Sequence, residues 1–163
     1  MRRIIMILAA LAVLACAVSV SADMIERRDF TITPSVSYNF MLNKDIREDC
    51  GSPVGLKLDL DWAASPVALE AGFYQNKKDG IKHQYIPVYA AYRDWMNDNS
   101  YWKIAPGWVF SKHDDEKINK FGFELGYGVV VAKNLTAELD YAYWNKFEDK
   151  TVHGINLNIG YTF

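Results

Sequence analysis

The sequence predicts an all-β chain that folds as an eight-stranded antiparallel up-and-down transmembrane β-barrel with a polar interior. Three observations predict it. Hydrophobicity alternates with period two through eight segments from residue 30 to Phe163. Those segments are about 9–11 residues long, the length a tilted strand needs to cross a bilayer. Glycine falls almost wholly on the polar face of the alternation.

The first 22 residues stand apart. Arg2 and Arg3 make a positive start, residues 4–18 are apolar, and Val20-Ser21-Ala22 is a small-residue cleavage site. This is the layout of a secretory signal peptide, too short for a membrane-spanning helix. The expected domains are therefore a signal peptide at 1–22 and a barrel at 23–163. Lipoprotein processing at Cys16 is the weaker option, because leucine stands where a small residue is usual and the following stretch stays apolar. Removing the signal leaves Cys50 as a single cysteine beside Gly51, expected to be an incidental free thiol in a loop. It cannot form an internal disulfide.

The strands follow in order. In 30–40 the even positions (Phe30, Ile32, Pro34, Val36, Tyr38, Phe40) oppose Thr, Ser and Asn. Pro34 cannot donate to a ladder and marks a strained spot or a bulge. Segment 54–62 sets Leu56, Leu58, Leu60 and Trp62 against Lys57, Asp59 and Asp61. Segment 67–75 sets Val67, Leu69, Ala71 and Phe73 against Glu70 and Gly72. In 83–93, the least regular segment, Ile86, Val88, Ala90 and Tyr92 share a face. Segment 101–111 presents Trp102, Ile104, Pro106, Trp108 and Phe110 opposite Lys103. Segment 121–131 presents Phe121, Phe123, Leu125, Tyr127 and Val129 opposite Glu124 and three glycines. Segment 135–145 presents Leu135, Ala137, Leu139, Tyr141 and Tyr143 opposite Glu138 and Asp140. The last, 152–163, presents Ile155, Leu157, Ile159, Tyr161 and Phe163 opposite Asn156, Asn158 and Gly160.

The connections after segments one, three, five and seven are charged (44–53, 76–82, 112–120, 146–150). Those after two and six are tight (63–66, 132–134), and 94–100 is of middling length. Long loops on one rim and short turns on the other are the layout of outer-membrane barrels, with both termini on the periplasmic side.

Period two alone does not say which face is inside, since a soluble barrel shows the same pattern. Glycine decides it. Gly51 and Gly80 fall in loops, and the other eight all lie on the polar face. An eight-stranded barrel has an interior just wide enough for side chains, so its inner face must be thinned with small residues. The apolar face, rich in aromatics, therefore meets lipid. Trp62, Tyr92, Trp102 and Phe163 are expected in a periplasmic aromatic girdle, and Phe40, Phe73, Phe110, Phe121 and Tyr143 in an outer one.

Two segments resemble the small eight-stranded outer-membrane barrels of the OmpA-transmembrane-domain, OmpX and opacity-protein type. One is Phe121-Gly-Phe-Glu-Leu-Gly-Tyr-Gly-Val with Leu135-Thr-Ala-Glu-Leu-Asp-Tyr-Ala-Tyr, which looks like that family's penultimate hairpin. The other is Ile155-Asn-Leu-Asn-Ile-Gly-Tyr-Thr-Phe163. The resemblance implies an assembly signal at Leu157, Ile159, Tyr161 and Phe163, read by the barrel-assembly machinery. It also implies the outer membrane as location, with its lipid and lipopolysaccharide as partners, and a monomer.

Chemistry is weakly signalled. With Arg2 and Arg3 removed, 16 basic residues face 20 acidic ones, which argues against nucleic acid. A lipid hydrolase would need a serine, an activating histidine and an acid. Ser111 and His113 lie two apart, followed by Asp114, Asp115 and Glu116, but at the start of a charged loop. His83 and His153 have no serine at same-face spacing. No catalytic, cofactor or metal-binding motif is expected. Lys57, Asp59, Asp61, Glu70, Lys103, Glu124, Glu138 and Asp140, joined by Arg93, share the narrow lumen, where buried charges must pair or be hydrated. The expected function is a non-enzymatic outer-membrane barrel with a structural or surface-interaction role. A narrow cation-leaning channel is the alternative, and a lipid-modifying enzyme a more distant one.

Overall fold

The computed structural model describes residues 29–62, 65–113, 116–147 and 149–163; the signal segment 1–22 lies outside them. Eight strands, β1 (Phe30–Met41), β2 (Val54–Trp62), β3 (Val67–Lys78), β4 (Ile81–Asn97), β5 (Ser100–His113), β6 (Glu116–Ala132), β7 (Leu135–Phe147) and β8 (Lys150–Tyr161), form one closed barrel. Each pairs antiparallel with its neighbour in sequence, and β1 closes onto β8 from Ser35↔Gly160 to Met41↔Gly154. Closure leaves no sheet edge, and every ladder hydrogen bond is made between strands, as a bilayer core demands.

The period-two faces sort as the pleat requires. On β1, Val36 and Tyr38 are exposed while Thr33, Ser35, Ser37 and Asn39 are buried. Outward aromatics gather near the strand ends. Phe30 meets Trp62 at 5.5 Å, Tyr92 meets Trp102 at 5.7 Å and Tyr161 meets Phe163 at 4.9 Å near the chain termini. Toward the opposite rim Trp108 meets Phe121 at 5.8 Å and Phe123 stacks on Tyr143 at 5.3 Å.

Four expectations are corrected. Pro34 makes no bulge: β1–β2 pairing runs in unbroken register past Pro34↔Leu58, and the β1–β8 ladder begins only at Ser35. The charged connections are largely strand rather than loop. β3 and β4 run on to a turn at Asp79 and Gly80, whose φ of 51° and 87° suit a two-residue hairpin turn. Polar residues pair as well as apolar ones, so the ladder outlasts the apolar pattern. Residues 44–53 contain a short helix, α1 (Lys44–Asp49), capped by Asn43, whose side chain accepts from Asp45 N at 3.0 Å. Val129, on the outward parity of β6, is buried beside a register shift.

The lumen is also less purely polar than alternation implies. Tyr74, Tyr85, Tyr89, Tyr101 and Trp144 all point inward and are buried. The glycines make room for them. A Cβ on Gly55 or Gly72 would strike the Tyr74 ring, one on Gly107 would strike Tyr89, and one on Gly128 would strike Tyr101.

Candidate functional site: the charged lumen and its outer mouth

The inward charges come from both halves of the barrel, and local pairing sets them against each other. Asp59 on β2 lies directly across from Glu70 on β3, and Arg93 on β4 across from Lys103 on β5. Like charges directly opposed on a sheet repel. Relief comes from across the lumen, where Glu138 and Asp140 project from β7. Their cross-strand partners on β6 are Gly128 and Gly126, and a Cβ on Gly126 would land on the Asp140 carboxylate.

Two carboxylates act as hubs. Glu70 accepts from Arg93 Nη2 at 2.5 Å and Lys103 Nζ at 3.0 Å, with Lys57 Nζ at 3.3 Å. Glu138 accepts from Lys57 Nζ at 2.6 Å, from Lys103 Nζ at 3.1 Å and from the Tyr101 hydroxyl. Lys103 also reaches Asp140 at 3.1 Å and Glu124 at 3.6 Å. Arg93 forks onto both oxygens of Asp61 at 2.7 Å, meets Asp59 at 3.0 Å, and lies over the Tyr101 ring. Asn158 donates to Asp140 and Asn156 to Glu124, while Asn39 donates to Asn156 at 2.5 Å.

All eight lumen residues named from sequence, and Arg93, thus meet in one network spanning β2, β3, β4, β5, β6 and β7. Seven of the eight are buried; Asp61 keeps 28% of its side chain exposed near the end that carries the termini. Charge this deep is tolerated only when multiply paired. Three cations face six carboxylates. Asp59 Oδ1, Glu124 Oε2 and Asp140 Oδ1 are buried with no hydrogen-bond partner among the described residues.

Beyond the network the lumen turns aromatic and then apolar. Trp144 packs against Tyr74 at 4.9 Å and Tyr85 at 4.8 Å, and Met41, Ile46, Cys50 and Val152 close over them. α1 folds back as a lid. Arg47 Nη1 donates to Met41 O at 2.8 Å, Asn76 Nδ2 to Cys50 O at 2.6 Å and Asn43 Nδ2 to Thr151 O at 2.9 Å. The Lys150 ammonium pairs with Asp49 at 2.7 Å and holds its carboxyl below the usual range.

Cys50, expected as an incidental loop thiol, is buried at the C-cap of α1 beneath this lid. Burial pushes its thiol up from the ordinary value. His83 and His113, register partners on β4 and β5, point inward beside it, with Nδ1 to Nδ1 at 2.9 Å. The His113 ring therefore faces His83 and Tyr85, and Asp114 and Asp115 lie outside the described residues. His153 is held by the Tyr141 hydroxyl at 3.1 Å. The Cys50–His83–His113 convergence carries no sequence signal, because its spacing matches no ligand motif and depends on the β4–β5 register and the fold-back of α1.

The assembly-signal positions Leu157, Ile159 and Tyr161 lie on the outward face of β8, with Ile159 and Tyr161 exposed. Phe163 follows the strand and is tied to β1 by its amide, which donates to Ile32 O at 3.0 Å.

Known structures share this architecture. The N-terminal β-barrel domain of Pseudomonas aeruginosa OprF superposes with a TM-score of 0.62 at 10% identity, covering 82% of this chain and 97% of that one. Ail, the attachment invasion locus protein of Yersinia pestis, gives 0.58 at 14% identity over 82% and 97%. Neisserial surface protein A gives 0.53 at 15% identity over 83% and 96%. At such identities the likeness is one of fold. No curated protein sequence matches the chain. The model of the outer membrane protein beta-barrel domain matches residues 8–163, so the chain belongs to that family and is an outer-membrane barrel protein.

Proposed function

We propose that this protein is a sealed, non-enzymatic barrel that serves the outer membrane as a structural and surface-interaction element rather than as a pore. One observation carries the reading. The inner row of β1, which runs the height of the barrel, has Thr33 at 6%, Ser35 at 7%, Ser37 at 1%, Asn39 at 0% and Met41 at 0% exposure. A water-filled channel would leave such a row accessible. Ion pairs across the lumen and the apolar cap under α1 fill that space instead.

In this reading residues 1–22 direct export and are cleaved, the assembly machinery reads the β8 aromatics, and the mature monomer sits among outer-membrane lipid and lipopolysaccharide. The outer hairpins carry lysines (Lys77, Lys78, Lys82, Lys117, Lys120) suited to anionic headgroups.

Conductance tests it. The refolded chain in planar bilayers is expected to show no discrete steps. Steps whose size changes in Lys103→Met or Glu138→Gln would establish a channel and overturn the sealed reading. Overexpression is expected to leave the lipid A mass spectrum unchanged; a new lipid A species that depends on His113 would make the protein an enzyme.

A further inference from the structure

Two clusters of metal-ligating side chains occur among the described residues. Asp59, Glu70 and Glu138 are already paired with Lys57, Arg93 and Lys103. The other cluster, Cys50 with His83 and His113, is buried and shares no residue with the charge network. One donor atom from each of its three residues lies within 4.8 Å of the other two.

We propose that Cys50, His83 and His113 form a site for one transition-metal ion of zinc type at the outer mouth of the barrel, its fourth position taken by water or the Tyr85 hydroxyl.

The donor set selects the ion. A thiolate with two imidazoles suits zinc and its neighbours, whereas calcium and magnesium want oxygen. The geometry is close. Zinc–nitrogen bonds of about 2.0–2.1 Å at a tetrahedral angle put two ring nitrogens ~3.3 Å apart. The two Nδ1 atoms stand at 2.9 Å and need to separate by about half an ångström. A tetrahedral site puts sulfur and nitrogen ~3.6 Å apart, so from within 4.8 Å the sulfur needs to draw in by about 1.2 Å at most, within reach of a χ1 adjustment at the end of a short helix.

The hydrogen bonding around the cluster is also incomplete. His83 is 5% exposed, and its Nε2 has no hydrogen-bond partner among the described residues. Buried polar atoms are almost always satisfied, and the exceptions call for an explanation. Neutral imidazoles paired through Nδ1 leave His83 with one unmet nitrogen in either tautomer. An ion held by the two Nδ1 atoms takes a lone pair from each ring and replaces that pairing, with both rings then protonated at Nε2. The Tyr85 ring stands edge-on to His113 at 5.2 Å, and its buried hydroxyl has no hydrogen-bond partner among the described residues. Binding replaces the thiol proton, released to solvent, with a sulfur–metal bond; no electron is transferred.

Such an ion would pin the β1–β2 connection to the β4–β5 wall. The test uses the untagged, folded chain in detergent micelles, stripped with chelator and confirmed as folded by its mobility on an unboiled gel. Titration with Co²⁺ is expected to give a thiolate-to-cobalt charge-transfer band and tetrahedral visible bands, saturating at one equivalent and erased by Zn²⁺. Cys50→Ser is expected to lose the charge-transfer band, and His83→Asn and His113→Asn each to weaken binding at least about tenfold. Zn²⁺ is further expected to slow tryptic cleavage after Lys44 and Arg47 in the parent chain but not in Cys50→Ser. Absence of the charge-transfer band in the folded parent, or affinity unchanged in Cys50→Ser and in both histidine variants, would overturn the site. Should a single variant misfold, the parent's cobalt spectrum and the zinc protection decide alone. Neither outcome bears on conductance, so the sealed-barrel reading stands or falls separately.

Discussion

Lys103 is the residue on which the lumen most depends. It is 1% exposed and contacts Glu70, Glu124, Glu138 and Asp140 from four directions. Lys103→Met keeps the length and removes the charge, leaving Glu70, Glu138 and Asp140 to Lys57 and Arg93, and Glu124 with no cation at pairing distance among the described residues. Breaking a buried pair in this way typically costs about 3–5 kcal/mol, because the stranded partner stays desolvated. Urea unfolding of the chain in lipid vesicles is expected to show a loss of that order, and one that added salt does not mask, since buried pairs are weakly screened. A loss as small as that of an exposed pair would mean the network is hydrated rather than packed. Gly107 makes a second case. A methyl there would meet Val88 O and the Tyr89 backbone, atoms that cannot rotate aside. Gly107→Ala is expected to destabilise by about 1–3 kcal/mol in the same assay, the usual range for overpacking. Gly126→Ala, which meets the Asp140 side chain instead, should be costly only while that carboxylate remains in the network.

At the scale of the element, α1 and β8 separate what hydrophobic pattern reveals from what it hides. Asn43 serves α1 twice: its Oδ1 accepts from Asp45 N, and its Nδ2 donates to Thr151 O on β8. Asn43→Ala removes both, and an N-cap alone is worth about 1 kcal/mol. Asn43→Asp keeps the cap and loses the tie. Tryptic cleavage after Lys44 and Arg47 is expected to rise in the order parent, Asn43→Asp, Asn43→Ala, with the barrel still folded; equal rates in all three would mean the helix is held by other contacts. Nothing in the alternation foretold this helix, because six residues rich in charge carry no stripe long enough to read. The faces of all eight strands were legible, since side-chain direction follows from the pleat itself. Strand ends were not. Where β3, β4, β5 and β6 rise past the apolar band, lysine and asparagine occupy both faces and period two loses its contrast, so paired hairpins resemble loops. The inward tyrosines and Trp144 were masked for the opposite reason: an aromatic looks lipid-facing unless the glycine across from it is known, and that needs the register. In β8 the pattern carries a separate prediction. Deleting Phe163 removes one amide bond to Ile32 and one exposed ring, a small loss to the native state. Insertion by the assembly machinery is expected to slow severalfold in cells, while the protein that does insert unfolds almost as the parent does. Normal insertion of the truncated chain would remove the recognition role of this residue and leave the barrel intact.

For the whole molecule the decisive property is closure. Unfolding an open sheet can begin at an edge, where hydrogen bonds are already half exposed. Here β1 pairs with β8 over seven register positions, and Thr33 and Thr162 bond through their hydroxyls at 2.9 Å just below the last of them. Any opening must break a ladder and expose its donors to hydrocarbon or detergent, each unsatisfied group costing several kcal/mol. The lumen network adds to this, because separating β7 from β2 and β5 strands the Lys57–Glu138 and Lys103–Asp140 contacts at once. Closure and network together make unfolding slow, a matter of kinetic barrier more than of equilibrium stability. The chain in dodecyl sulfate is therefore expected to stay folded when cold, to run on a gel as a compact species, and to shift only after boiling. Lys103→Met should shift at a lower temperature than the parent, because it weakens the cross-lumen contacts without opening the sheet. A chain that runs identically with and without boiling, or one recovered from the periplasm without detergent, would be incompatible with a closed barrel facing lipid.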